Sequence, residues 1–393
     1  MSARVPFDSM KSAALGASRV ITSSPCDIGE LISLALRGLR PMFDADRQLF
    51  CHRLVRTDQR IVREGLSLRY TLMTLLGLRE VELAGTSSGF NVREICEWFI
   101  RDTKWIQGIG DLGLLIWLAA AFDSDRVADV LETFNCETAL DRYSDAREGR
   151  TMELAWFLAG LSHAAETSPT LLTSLTDLSV ETYHRIEENQ GEYDLFGHMG
   201  VKKSLTGRFR GKIGSFADQV YPIYAMSKFA KVFQVDDPLG PALGCATAIC
   251  SAQGELGQWW WLYDSTSGRT SSRYPVYSVH QHAMAPMCLF AVEGATGQSF
   301  RSYIYKGLSW IYGSNELEAN MRDHSENLIW RCILPKRSKS RYWEMATSIL
   351  RPPSDNVETD SLKVLYEQRP YEYGWLLFAF ARHAGDRTVV NPV

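Results

Sequence analysis

Residues 112–122 read LGLLIWLAAAF, and residues 374–380 read GWLLFAF. Each run is apolar on most sides of a helix rather than along one stripe. A helix that is apolar all round is buried among other elements, whereas the helices of a plain bundle show more polar surface. The two runs therefore predict an inner layer of buried helices surrounded by an outer layer.

Helical spacing of apolar residues continues through most of the chain. Three helix starts are predicted at Asp27, Asn91 and Ser215. Each of these residues has an oxygen-bearing side chain, and a carboxylate follows three positions later. Brief connections such as 108–110 and 294–297 favour antiparallel neighbours, and hence helical hairpins. The pattern predicts twelve helices, over 27–41, 66–83, 91–105, 110–122, 124–134, 150–165, 169–188, 215–233, 238–252, 278–293, 298–312 and 370–385.

Six hairpins form a closed α/α toroid, so the chain is expected to be all-α with that architecture. Strand-like pieces at 327–334 and 361–367 predict a small β element near the C-terminus. No Gly/Ser-rich or Pro-rich linker interrupts the interior, so residues 26–393 are expected to form one domain. Residues 1–25 are small and polar, and a flexible leader is expected there.

Composition narrows the class of protein. The chain has 393 residues, 45% of them hydrophobic and 22% charged, which is typical of globular proteins. A net charge of −4 argues against a nucleic-acid partner. No secretory h-region and no run of ~18 apolar residues occurs, so no membrane span is expected. The eight cysteines are scattered without a CxxC pair, which favours a reduced, cytoplasmic setting. The sequence gives no indication of oligomeric state.

Residues 253–287 hold the richest set of chemical groups in the chain, on a long segment between two predicted helices. Long connections in compact domains tend to be functional. Trp259, Trp260 and Trp261 are consecutive, and their side chains are expected to point in different directions. They could form a platform for a sugar ring or an apolar chain, or a hydrophobic plug where hairpins meet.

The same segment carries a family resemblance. Gln253, Gly257 and Trp259 match the QxxxGxW repeat of squalene–hopene cyclases and related terpenoid-cyclase toroids. That resemblance implies an α/α barrel in which the repeat ties successive helix ends together. The motif occurs once here, whereas those cyclases carry several copies. Their DxDD acid motif is missing, since Asp236 and Asp237 lack the first aspartate, so cyclase chemistry would need another acid.

Histidines and carboxylates in and near this segment are candidate catalytic groups. His280 is a candidate base or orienting group, because an imidazole titrates near neutral pH; the alternative is a structural hydrogen bond at a helix start. Glu255, Asp264 and Glu372 are candidate catalytic carboxylates of the kind that glycoside hydrolysis uses in pairs. The alternative for each carboxylate is a helix cap or a salt bridge.

His282 lies two residues after His280, and the pair could be two metal ligands. Zinc sites usually have three or four protein ligands, and no third one stands at a convincing spacing. We therefore predict no metal and no cofactor, and assign His282 to substrate binding.

Basic residues concentrate in the loop 190–214, just before the helix start at Ser215. Lys203, Arg208 and Arg210 are the candidate anion-binding side chains, because cations beside a helix N-terminus attract anions. A uronate, sulfate, nucleotide sugar or diphosphate would fit such a site. The alternative is a solvated loop.

Tyrosine beside arginine or histidine is also suited to β-elimination or C5 epimerisation of a uronate. The cation neutralises the sugar carboxylate, and the tyrosine transfers a proton. Arg273, Tyr274, Tyr277 and Tyr371 supply the residue types, together with His280.

These observations predict a carbohydrate-active lyase, epimerase or hydrolase that acts on an acidic sugar or glycan in a central cavity. The alternatives are a terpenoid-cyclase-like enzyme with an aromatic cavity, and a non-catalytic toroid scaffold. A specific hypothesis goes with the first choice, namely that Trp259, Tyr277, His280 and Glu372 face one shared cavity.

Overall fold

The computed structural model describes residues 26–58, 60–143, 150–199, 211–336, 359–384 and 387–388. More than half of these residues are helical, as predicted. The helices are α1 (Ile28–Leu39), α2 (Leu68–Leu83), α3 (Val92–Arg101), α4 (Ile109–Ala120), α5 (Ser124–Thr133), α6 (Cys136–Tyr143), α7 (Thr151–Thr167), α8 (Pro169–Ser174), α9 (Thr176–Glu187), α10 (Phe216–Phe233), α11 (Leu239–Ser251), α12 (Ala285–Thr296), α13 (Arg301–Ile311) and α14 (Pro370–Phe380).

Six of the helices form an inner ring, in the order α2, α4, α7, α10, α12 and α14. Each packs against the next, and α14 packs against α2, so the ring is closed. Of the other helices, α1 precedes α2 and the rest lie between successive inner helices along the chain, as expected for an outer layer. The predicted α/α toroid is therefore confirmed.

The inner helices α4 and α14 are buried, as their apolar residues on most sides predicted. Every residue of α4 from Ile109 to Ala119 is buried, and α14 is buried except at Tyr371 and Phe378. Neighbouring inner helices approach closely at glycines. A Cβ on Gly374 would lie 2.6 Å from the carbonyl oxygen of Met73 in α2, which leaves no room for a side chain.

Apart from shifts of a few residues at helix ends, the helices differ from the prediction at three places. Helix α6 was missed, because its eight residues are too few to show a helical period. The helix predicted over 169–188 is divided at Leu175 into α8 and α9. The helix predicted over 278–293 begins with a π-helical turn, His280–Met284. Fourteen α-helices thus stand in the described residues, where twelve were expected.

Short strands surround the ring. They are β1 (Cys26–Asp27), β2 (Phe43–Asp44), β3 (Leu49–Arg56), β4 (Ile61–Leu66), β5 (Ile213–Ser215), β6 (Leu262–Asp264), β7 (Arg269–Ser272), β8 (Val276–Tyr277), β9 (Arg322–Asp323), β10 (Leu328–Ile329), β11 (Cys332–Pro335), β12 (Leu362–Leu365), β13 (Glu367–Gln368) and β14 (Arg387–Thr388). Strands β10 to β13 confirm the predicted β element near the C-terminus.

The hairpin of β3 and β4 was not predicted. Strand β13 pairs with β3 through Glu367 and Val55, and β2 pairs with the other end of β3. This sheet therefore joins residues about three hundred positions apart, a contact that no local pattern reports. It places the chain just before α14 against the chain just before α2.

The segment that carries the QxxxGxW motif connects the end of α11 to α13. Gln253 follows α11, and its Nε2 donates to the carbonyl of Tyr303 in α13 at 3.0 Å and to that of Gly257 at 3.1 Å. The indole of Trp259 lies against α13 at Gly307, where a Cβ would come within 2.7 Å of Nε1. Gln253 and Trp259, at the two ends of the motif, thus both contact the outer helix α13.

In the part of the chain that the structure describes, no helix combines the length and apolar character needed to cross a bilayer.

Candidate active site

A central cavity of about 610 Å³ opens at one end of the ring. Its wall includes residues at the N-terminal ends of α2, α7, α10 and α14, together with the π-helical turn before α12. The N-terminus of a helix carries a partial positive charge. Four helix starts around one space therefore make the central cavity favourable for an anion.

The polar lining is dominated by arginines, histidines and tyrosines. The described lining residues of these kinds are Arg69, Arg331, Arg369, His198, His280, Tyr70, Tyr221, Tyr277 and Tyr371. Trp156 and Trp261 add aromatic faces. Asp218 is the one carboxylate among the described lining residues.

Arg331 is held in place by carboxylates behind the wall. It is 6% exposed, its Nη1 bonds to Glu372, and its Nε lies 3.4 Å from Glu367. Glu367 also accepts from Arg369 at 2.6 Å and from Arg53 at 2.8 Å. Arg53 is also paired with the more exposed Glu64 at 2.8 Å, so Arg331 and Arg369 depend on the two buried carboxylates, Glu367 and Glu372.

The two carboxylates of this cluster differ in their surroundings. Burial raises the pKa of Glu372 to about 7, against the opposing effect of Arg331. Burial also favours the neutral form of Glu367, but Arg331 and Arg369 outweigh it, and the pKa of Glu367 is lowered. Any protonation of Glu372 near neutral pH removes a negative charge from beside Arg331 and so makes the cluster more positive.

Arg369 also orders the aromatic wall. Its Nη1 lies 2.8 Å from the hydroxyl of Tyr70, which acts as the acceptor. The rings of Tyr70 and Tyr371 lie 4.6 Å apart, and His52 stacks on Tyr70 from behind at 5.2 Å. The rings of Tyr70 and Tyr371 and the Arg369 guanidinium therefore belong to one connected surface.

His280 stands on the π-helical turn and is packed tightly. Its Nδ1 is 3.4 Å from the carbonyl oxygen of Trp259, and its ring lies 4.4 Å from Phe216 and 5.1 Å from Tyr277. Burial lowers the pKa of His280 to about 3. His280 is therefore neutral at physiological pH and is better suited to hydrogen bonding than to accepting a proton.

A second histidine, His198, also lines the central cavity. It precedes α10 along the chain, whereas His280 follows that helix. His198 Nδ1 lies 3.1 Å from Asp218 Oδ2, and both residues belong to the lining. Arg69 pairs with Asp111 at 2.7 Å, at the start of α4. His198, Asp218 and Arg69 were not among the predicted site residues.

The structure places four of the predicted site residues in the central cavity: Tyr277, His280, Trp261 and Tyr371. The shared-cavity hypothesis needs correction for its other two members, Trp259 and Glu372. Both side chains are 0% exposed and lie behind the lining, Trp259 against Phe216 and Glu372 against Arg331. Neither residue belongs to the lining of the central cavity.

Other predicted residues have structural surroundings instead. Trp260 donates from Nε1 to the carbonyl of Ala252 at 2.7 Å, and Arg273 lies over its ring at 5.2 Å. Tyr274 bonds to Glu316 at 3.2 Å. His282 is 0% exposed and does not line the central cavity.

The two carboxylates flanking the tryptophans also lie outside the central cavity. Glu255 is exposed in a turn. Asp264 Oδ1 accepts from Thr266 N–H at 2.9 Å, and Oδ2 accepts from the Ser267 hydroxyl at 2.8 Å, which is the pattern of a turn-capping aspartate. The paired-carboxylate hypothesis for these two residues therefore has no support from their positions.

Lys203, Arg208 and Arg210 lie outside the described residues. Within the described residues, no three histidine, cysteine, aspartate or glutamate side chains come together to hold a metal ion.

Some of the unpredicted lining residues had signals in the sequence. Arg331 interrupts an otherwise apolar strand-like run, and a buried arginine in such a run requires a partner. Arg369 is the residue just before the helix predicted over 370–385, which includes Tyr371. For Arg69, neither its position in α2 nor its neighbours distinguish it from a surface arginine.

Comparison with known proteins supports the architecture. No family model matches the chain, and no curated protein matches it. Among solved structures, a sugar epimerase from a ruminal bacterium has a TM-score of 0.62 at 10% identity, covering 91% of this chain and 98% of that chain.

Two unsaturated glucuronyl hydrolases are also similar in structure. The one from Streptococcus agalactiae has a TM-score of 0.58 at 12% identity, covering 91% of each chain. The one from Bacillus sp. GL1 has a TM-score of 0.56 at 14% identity, covering 91% of this chain and 96% of that chain. At these identities the likeness concerns the fold, and the chain shares the α/α-toroid architecture of these proteins.

Proposed function

We propose that this protein is a carbohydrate-active enzyme that binds an acidic sugar in the central cavity and transfers a proton at the carbon next to the sugar carboxylate. The observation that carries the proposal is the lining itself. Three arginines and several helix N-termini surround the space, against a single carboxylate among the described lining residues.

The carboxylate of a uronate would bind most favourably beside Arg331 and Arg369. Both side chains are oriented by Glu367, so little conformational entropy is lost when an anion binds. Guanidinium groups can bind a carboxylate through two parallel hydrogen bonds. Neutralising the sugar carboxylate also lowers the energy of the carbanion-like state that forms when the adjacent proton leaves.

The lining favours proton transfer over two-carboxylate hydrolysis. Glycoside hydrolysis commonly uses two carboxyl groups on either side of the bond. Of the described lining residues, Asp218 alone supplies one. Tyr277 and Tyr371 line the space, and a phenol hydroxyl suits β-elimination or epimerisation, which supports the proposal.

The names of similar structures agree with this substrate class. One is a sugar epimerase, and the Streptococcus agalactiae glucuronyl hydrolase is described in complex with dGlcA-GalNAc6S. The terpenoid-cyclase alternative fits less well, because arginines in the wall would repel a carbocation. The non-catalytic scaffold alternative would favour a filled centre, whereas an open volume of about 610 Å³ is present.

The test is a screen of the purified protein against uronate-containing oligosaccharides and neutral oligosaccharides of equal length. β-Elimination is detected by the ultraviolet absorbance of the new conjugated double bond, epimerisation by deuterium uptake from D₂O, and hydrolysis by new reducing ends. We expect turnover of the acidic substrates with one of the first two signatures. Equal turnover of neutral substrates, or reducing ends without the other signals, would contradict the proposal.

A matched pair of variants tests the carboxylate site. Arg369→Gln should raise KM for the acidic substrate by about 10- to 100-fold, because a charge-assisted hydrogen bond contributes ~1.5–3 kcal/mol. Arg382→Gln is the control, since Arg382 is also paired with a glutamate, Glu80 at 3.0 Å, but is 70% exposed outside the described lining. An unchanged KM in Arg369→Gln would mean that the carboxylate of the sugar binds away from Arg369.

A further inference from the structure

His198 and Asp218 form a hydrogen-bonded pair in the wall of the central cavity. We propose that His198 is the proton-transferring base of this site and that Asp218 orients it. The inference rests on the proposed function and names the group that performs its chemical step.

The direction of the hydrogen bond leaves the catalytic nitrogen of His198 available. Asp218 Oδ2 already accepts from the Ser215 N–H and hydroxyl, each at 2.8 Å. Oδ2 is thus an acceptor, and His198 Nδ1 is the donor. The Nε2 atom then carries the lone pair. The His198 side chain is 19% exposed, so a ligand in the central cavity can reach the ring.

The backbone around His198 is fixed from the start of α7. The N–H of Thr151 donates to the His198 carbonyl at 3.0 Å, and Thr151 Oγ1 donates to the carbonyl of Gly197. Asn189 Nδ2 donates in turn to Thr151 Oγ1 at 3.0 Å. A base held by its backbone and by its Nδ1 partner loses little freedom when the substrate binds.

Asp218 has a free acceptor in addition to the atom that orients His198. Asp218 is 1% exposed, and its Oδ1 has no hydrogen-bond partner among the described residues. Buried carboxylate oxygens are normally satisfied. Because Asp218 belongs to the lining, a sugar hydroxyl or a water in the central cavity can supply the missing donor. This unpartnered atom is a second, independent indication that a ligand binds beside the pair.

The other lining histidine is less suited to the same role. His280 Nδ1 faces the carbonyl of Trp259, and burial lowers its pKa to about 3. A base whose conjugate acid is that strong accepts a proton from carbon poorly. Its place between Phe216 and Tyr277 suits a neutral group that orients the substrate.

The proton-transfer step balances as follows. The bond between hydrogen and the carbon next to the carboxylate breaks, the proton goes to His198 Nε2, and the electron pair is delocalised into the carboxylate beside the arginines. In β-elimination that pair then expels the glycosidic oxygen, which takes a proton from the His198 imidazolium. In epimerisation the carbon takes a proton from the opposite face, for which Tyr277 and Tyr371 are the candidates. Solvent then returns a proton to the tyrosine and takes up the proton held by His198.

The first experiment compares His198→Ala with His184→Ala. His184 Nδ1 is also close to a carboxylate, Glu187 at 3.3 Å, but it lies on α9 and its side chain is 60% exposed. In His198→Ala we expect kcat to fall by about 10²- to 10⁴-fold. The affinity for the acidic sugar should stay within about twofold, because the base acts in the transition state. Added imidazole should restore part of the turnover.

Asp218 is a positioning residue, and its test must separate orientation of His198 from helix capping. Asp218→Asn should lower kcat with KM nearly unchanged. Asp123→Ala is the control for a lost cap, since Asp123 accepts from Arg126 N–H at the start of α5. It should lower the melting temperature and leave both kinetic constants unaltered.

The outcomes are distinguishable. No turnover or binding of acidic sugars by the unsubstituted protein would overturn the proposed function, and this inference with it. Turnover that survives in His198→Ala while it is lost in His280→Ala would overturn the assignment of the base alone. Equal losses of affinity and kcat in His198→Ala would make His198 a binding residue and would also overturn it.

Discussion

His282 is fully buried, and neither of its ring nitrogens has a hydrogen-bond partner among the described residues. Burial lowers its pKa from 6.5 to about 3. Between these two values the unfolded chain binds a proton at this residue and the folded protein does not. The free energy of unfolding must therefore fall as the pH drops through that window.

We expect His282→Leu to reduce this acid sensitivity. The loss of unfolding free energy between pH 7 and pH 5 should become smaller by about 2 kcal/mol, since each pH unit below the unfolded pKa contributes ~1.4 kcal/mol. Urea unfolding at the two pH values measures the difference. If the variant and the unsubstituted protein lose the same amount, His282 binds a proton in the folded state.

At the scale of the elements, the ring depends on close contact between inner helices. Gly374 in α14 lies against the backbone of α2, and a Cβ there would be 2.6 Å from the carbonyl oxygen of Met73 and 2.7 Å from the Cα of Thr74. Backbone atoms cannot turn aside as a side chain can, so the two helices would have to separate.

Gly374→Ala should therefore lower the free energy of unfolding by about 1–3 kcal/mol. Gly294→Ala is the matched control, because Gly294 is a helical glycine in α12 with no atom within 4 Å of an added Cβ. That variant should gain about 0.5–1 kcal/mol through the higher helix propensity of alanine. Denaturant unfolding of both variants measures the contrast, and a similar change in the two would show that the inner ring tolerates wider spacing.

At the scale of the whole molecule, the charge around the central cavity should govern ligand binding. Helix N-termini and arginines face the space from several parts of the chain, and the basic residues Lys203 and Arg210 are predicted to extend this positive region. Binding of an acidic sugar should weaken as salt is added, because salt screens the attraction.

Lys203→Ala combined with Arg210→Ala should weaken that binding and flatten its salt dependence. Lys231→Ala combined with Arg382→Ala is the control, since it removes the same charge at and just beyond the C-terminal ends of inner helices α10 and α14. Calorimetric titration over a range of salt concentrations compares the two. An unchanged slope in the first double variant would mean that the loop is solvated and takes no part.

The sequence by itself determined the helical class, the approximate helix positions and the inner ring. These features depend on short distances along the chain. Helical hydrogen bonds join residues four apart, caps such as Ser215 with Asp218 act over three positions, and the all-round apolar character of α4 and α14 is visible in single segments. The sequence also singled out the segment of Tyr277 and His280, two residues that line the central cavity.

The tertiary structure alone decided which groups share the central cavity. Arg69, His198, Arg331 and Arg369 come from four separate stretches of the chain and meet because the ring closes. The β3–β13 pairing likewise depends on Val55 and Glu367 becoming neighbours. Ring closure also buried Trp259 and Glu372 behind the wall that they were predicted to form. Burial and long-range pairing are properties of packed neighbours, and a residue's neighbours in space are not encoded in the residues beside it in sequence.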